Sequence, residues 1–156
     1  MSLRPFAAGM VTATDRNGKV DHYAMRKIAR GRYRLTLSYR GREIGQGFEV
    51  GFFPLPGAPS NVMVLQMAAL NFHAGDDNLR YYGVLVVTGQ NSAQEILPDC
   101  NKDARDARVP IAYNENGGIC FFPDRSALEK SLLSLWQSGR KPDTSLTLQT
   151  SIGSPR

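Results

Sequence analysis

Two cysteines, Cys100 and Cys120, and two histidines, His22 and His73, are the residues of this chain whose types suit nucleophilic chemistry. A thiolate attacks when a base or a helix N-terminus lowers its pKa, and an imidazole base must in turn be oriented by a third group. Cys100 stands at the start of a candidate short helix, "CNKDARDAR", whose free amides would favour the thiolate. His22 falls in a candidate hairpin and His73 in the turn "FHAGDDN", and nothing in their spacing brings either beside a cysteine. A Cys/His hydrolase or transferase is therefore the alternative reading, and no catalytic residue is assigned.

The same cysteines admit a structural role. Nineteen residues, mostly polar and turn-forming, separate them, with no second pair to complete a zinc knuckle and no C-x-x-C redox motif. An even count is compatible with one disulfide, Cys100–Cys120, whose loop closure would stabilise the fold by about 3 kcal/mol in chain-entropy terms. Two unrelated buried thiols are the other possibility. A disulfide would end the nucleophile reading and imply an oxidising compartment. His73, Asp76 and Asp77 carry ligand types that a cation accepts, but one short turn offers few of them, and Asp and Asn serve turns by bonding local amides. We expect no metal and no cofactor, and take this turn as a candidate binding loop. The proline-rich stretch at residues 54 to 59 is a second one, since loops carry most binding residues.

Charge concentrates in "RKIARGRYRLTLSYRGRE", where seven cations face one acid, Glu43. A sheet that reads single-stranded nucleic acid sets aromatic rings on the same open face as its cations. Strict alternation in "RYRLTLSY" predicts the opposite, with Tyr33, Leu35, Leu37 and Tyr39 toward a core and Arg32, Arg34, Thr36 and Ser38 toward water. No specific nucleic-acid recognition is expected. Arg32, Arg34, Arg40 and Arg42 remain a patch for weak, salt-sensitive adhesion to polyanions or acidic lipid. Gly45-x-Gly47 begins like a dinucleotide fingerprint, but Val50 occupies the third glycine position and the stretch lies between strands.

These residues need a scaffold. With 156 residues, 42% apolar and 21% charged, the chain suits one ordinary globular domain, expected over residues 1–150, with a flexible tail at 151–156. Net charge is +5, which favours polyanions without requiring a dedicated site. No run reaches the roughly 18 apolar residues of a membrane-crossing helix. The first residues lack the apolar core of a secretory signal.

Asn17-Gly18 predicts a type I′ hairpin turn between two short strands. "RYRLTLSY" and "EIGQGFEVGFF" follow as strands, the second bulged at its glycines. "VMVLQMAALNF", "RYYGVLVVTG" and "AQEILP" continue the series. "DRSALEKSLLSLWQSG" is the clearest helix, with Asp124 or the Ser126/Glu129 pair to cap it, Gly139 to end it, and an apolar stripe of Leu128, Leu132, Leu135 and Trp136. "SLTLQT" is one more possible strand. The fold expected is α+β, a curved and mostly antiparallel sheet of six to seven strands, partly barrel-like, packed by the C-terminal helix, with the short helix beside it.

Together "GRYRLTLSYRGREIGQGFEV", "YYGVLVVTG", "EILPDC" and "ICFFPDRSALEKSLLSL" resemble parts of small bacterial exported proteins of unknown function. In these a strand with Tyr-Gly precedes Pro-Asp-Cys, and a second Cys precedes a final helix. The resemblance implies export and pairing of Cys100 with Cys120, and no activity. The expectation is thus a non-enzymatic periplasmic or secreted module that binds a protein or a small ligand, with a cytoplasmic location the alternative.

Overall fold

The computed structural model describes residues 9–69, 81–99, 122 and 124–150. Eight strands run in order around a closed antiparallel barrel: β1 (Gly9–Asp15), β2 (Val20–Ala29), β3 (Arg32–Tyr39), β4 (Arg42–Pro54), β5 (Val62–Ala69), β6 (Tyr81–Gly89), β7 (Ser92–Ile96) and β8 (Thr144–Thr150). The expectation of six to seven strands in a partly rolled sheet is corrected by the last of these. Strand β8, only a possible strand by sequence, pairs with both β7 and β1 and so leaves no free edge.

Alternation sorts the side chains into two apolar clusters. Inward-facing residues, among them Val11, Met25, Tyr33, Phe52, Leu85 and Leu148, fill the barrel. Outward-facing Val62, Val64, Val84 and Ile96 are covered by helix α1 (Arg125–Gln137) through its Leu132 and Leu135, both fully buried. The capping follows expectation: the Asp124 carboxylate accepts a hydrogen bond from the Ala127 amide at 2.8 Å. Elsewhere the outer face carries polar Thr12, His22, Arg32, Arg34 and Thr147 beside exposed Met10 and Val20. Among the described residues, no helix is long and apolar enough to cross a membrane.

The turns correct one prediction and sharpen another. At β1–β2 only Gly18 has positive φ, +83°, while the Asp15 carboxylate accepts from the amides of Asn17 and Lys19, and the Asp15 carbonyl accepts from Gly18. This is a three-residue loop with a left-handed glycine, not type I′, because Asp15 supplies an acceptor that holds Asn17 at negative φ. The two-residue turn with both residues at positive φ is Arg40-Gly41, at 51° and 77°. In β4 the expected glycine bulge is present: Leu35 faces Phe48 but Leu37 faces Ile44, so extra residues of β4 loop out, with Gly45 and Gly47 at φ +72° and +77°.

Candidate functional site

The first strand to consider is β3, where Tyr33 is buried as expected, at 1% exposure, and packs on Phe52 with ring centroids 5.7 Å apart. These rings occupy the end of the barrel where β3 begins and β4 finishes. Toward the opposite end the inward side chains are Tyr23, Leu35, Phe48, Met67 and Leu146, only partly buried, and they enclose a cavity of about 280 Å³. Tyr23 meets Phe48 edge-on at 5.7 Å, which fixes one wall. Charged and polar groups in the lining, Asp15, Lys19, Asp21, Glu95 and Thr144, come from the ends of β1 and β7, the starts of β2 and β8, and the turn between the first two. In an up-and-down barrel those strand ends lie at one mouth.

Glu95 is the unusual member of that ring. Pairing with Thr144 on β8 and Leu85 on β6 turns its side chain inward, beside apolar neighbours. Burial, reinforced by the negative charge of Asp143, pushes its carboxyl up to about 7. Asp143 is itself held in place: its carboxylate accepts from the Leu97 amide at 2.6 Å and pairs with Arg16 at 3.1 Å. Among the described residues no side-chain hydrogen bond reaches the Glu95 carboxyl. Burial, then Asp21 and Glu95, likewise raise the Tyr23 hydroxyl, so this mouth is electronegative on a basic protein.

A stability consequence follows. Between the unfolded value near 4.5 and about 7, the folded chain holds a proton on Glu95 that the unfolded chain has released. Stability is therefore greatest below that interval, falls as pH rises through it, and stops falling above about 7. Discounted for residual contact with water, the loss is about 2 kcal/mol. Thermal unfolding from pH 4.5 to 8.5 should show this slope in the wild type and a flatter profile in Glu95→Gln. Parallel profiles would mean that Glu95 titrates normally.

The arginine patch is only partly separated from the rings. Arg32 pairs with Glu49 at 2.6 Å, and Arg26 forms a two-bond pair with Glu43 that holds that carboxyl below its usual range. Arg34 and Arg42 are exposed. The prediction that Leu37 and Tyr39 are core fails: they are 37% and 59% exposed, and the Arg40 guanidinium lies 5.3 Å from the centre of the Tyr39 ring. Their face is the inner one, since Leu37 pairs with Tyr23, but past the bulge this face of the hairpin is open to water. Thr36, expected in water, is buried beneath the bulged backbone at Gly47.

The loop at residues 54 to 59 joins strands at the end opposite the charged mouth; Leu55 is buried and Ala58 packs with it against α1, while Pro54, Pro56, Gly57 and Pro59 are exposed. His22 lies on the outer face, bonded to the Thr12 hydroxyl at 3.1 Å. Cys100, Cys120, His73, Asp76, Asp77, the short helix and the tail at 151–156 lie outside the described residues.

Comparisons with protein-family models, curated proteins and solved structures find no match to this chain.

Proposed function

We propose that the protein is a non-enzymatic binding module that takes a small, mainly apolar ligand into the barrel, with a hydrogen-bond-donating or positively charged head at the Asp21–Glu95 mouth. The observation that supports it is the cavity itself, apolar along its walls and charged at one end only. Its volume is near the lower end of the ~300–1000 Å³ usual for ligand sites, which suits a compact ring or a short chain. An apolar wall contributes affinity through removal of surface from water, while a carboxyl in a low-dielectric setting discriminates strongly between heads that donate and heads that repel. Export, on this reading, rests on the cysteine count and the resemblance described above.

N-phenyl-1-naphthylamine, a neutral apolar fluorophore, should brighten on binding and raise the melting temperature. Short alkylamines should displace it at least tenfold more effectively than carboxylates of equal length, a preference lost in Asp21→Asn/Glu95→Gln. Ala13→Phe and Leu35→Trp, which fill the cavity, should each weaken the probe at least tenfold while retaining a cooperative melt. Unchanged affinity in folded forms of both would place the probe elsewhere and defeat the proposal.

A further inference from the structure

Every residue from Tyr39 to Gly45 is exposed, so the alternation of burial seen in the rest of β3 and β4 stops at the hairpin that ends in Arg40-Gly41. The ribbon is thus open to water on both faces, though Glu43 ties it to Arg26 of β2. It carries large apolar side chains on one face: Leu37 and Ile44 are directly paired at 37% and 48% exposure, and Tyr39, at 59%, is paired with Arg42. All three lie on the continuation of the cavity wall, because Leu37 is also the register partner of cavity-lining Tyr23.

The tip itself is positive, although Asp15, Asp21 and Glu95 line the mouth at the same end of the barrel. Arg40 lies in the turn and Arg42 follows it, and the tip's one acid, Glu43, is neutralised by Arg26. The four groups sum to +2, within a chain of +5. Arg40 stacked over Tyr39 joins a cation to an amphipathic ring.

We propose that this hairpin tip docks the protein onto an anionic lipid bilayer, Tyr39, Leu37 and Ile44 entering the headgroup region and Arg40 and Arg42 meeting lipid phosphates. Exposed apolar side chains at a hairpin tip suit the headgroup boundary, roughly 5–10 Å deep, where tyrosine is favoured and arginine keeps its charge at the surface. A protein partner would instead need about 800 Å² of complementary surface on this side, which a single hairpin end does not offer. A polyanion without an apolar layer would gain nothing from Leu37 and Ile44. The docked orientation brings the cavity wall to the membrane, so a ligand could enter from the bilayer, but docking itself requires no ligand.

The test is co-sedimentation of the full chain with vesicles of phosphatidylcholine alone or with 30 mol% phosphatidylglycerol, in a range of salt. Binding is expected to the anionic vesicles only, at least tenfold weaker in Tyr39→Ser/Ile44→Ser and in Arg40→Glu/Arg42→Glu, and unchanged in Lys130→Glu on α1. A Tyr39→Trp variant should show blue-shifted emission quenched by brominated lipid. No binding to either vesicle overturns the proposal. So does a loss with the arginine changes that spares Tyr39→Ser/Ile44→Ser, which marks a polyanion patch instead, as would retention on heparin with no quenching. All four positions are exposed, so the changes remove no core packing, and a cooperative melt of each variant checks its folding; because the assay contains no cavity ligand, its outcome is separable from the fluorophore experiment.

Discussion

Gly47→Ala is expected to lower the unfolding free energy by about 3 kcal/mol or more. Gly47 has φ +77°, and a Cβ there would lie 2.1 Å from the Leu35 carbonyl oxygen and 3.1 Å from the Thr36 Cα. Both obstacles are backbone, so no side-chain rotation relieves the collision. Gly45 is the internal comparison: its φ is +72°, but a Cβ there meets open space. Alanine at Gly45 should therefore cost only the left-handed strain, about 1–2 kcal/mol. Urea denaturation of the two variants measures the difference directly, and equal losses would contradict the bulge geometry. The bulge matters beyond stability because it pairs Leu37 with Ile44 at the mouth. Gly47→Ala should consequently weaken vesicle binding even where enough folded protein survives.

Leu132→Ala is expected to cost a further large amount, about 3–4 kcal/mol, with affinity for the apolar fluorophore unchanged. Leu132 is wholly buried, but its partners are the outward side chains of β5, β6 and β7, on the far side of the sheet from the cavity. Leu85→Ala makes the contrast. It removes an equally buried leucine from the inward cluster, where it lines the cavity. That variant should lose similar stability and also change fluorophore affinity, since the vacated space joins the ligand volume. If Leu132→Ala alters the affinity as much as Leu85→Ala does, the two clusters are coupled and the division of labour between helix and barrel interior is wrong.

Much of the scaffold was legible locally. The run "RYRLTLSY" announces a strand by period 2, and the stripe of Leu128, Leu132, Leu135 and Trp136 announces a helix with one buried side. Glu95 was not legible. In "SAQEI" both faces mix polar with small or apolar residues, Ala93 and Glu95 on one and Ser92, Gln94 and Ile96 on the other, so the pattern does not say which face is inside. Both faces of β7 are in fact covered, inward by the barrel and outward by α1. An acid at an inner position of such a strand was the available signal, readable only once β7 was known to have neighbours on both sides.

Element identity, helix capping, the glycine bulge and the sign of the charged hairpin were thus determined by short-range chemistry, which acts between residues a few positions apart. Closure was decided by tertiary structure, because β8 must find β1 across more than a hundred residues and no local preference encodes that pairing. The cavity, the displaced titration of Glu95 and the exposure of Leu37 and Tyr39 depend on that closure. A side chain's neighbours and its access to water are set by where the barrel wall ends, and alternation along a single strand carries no record of it.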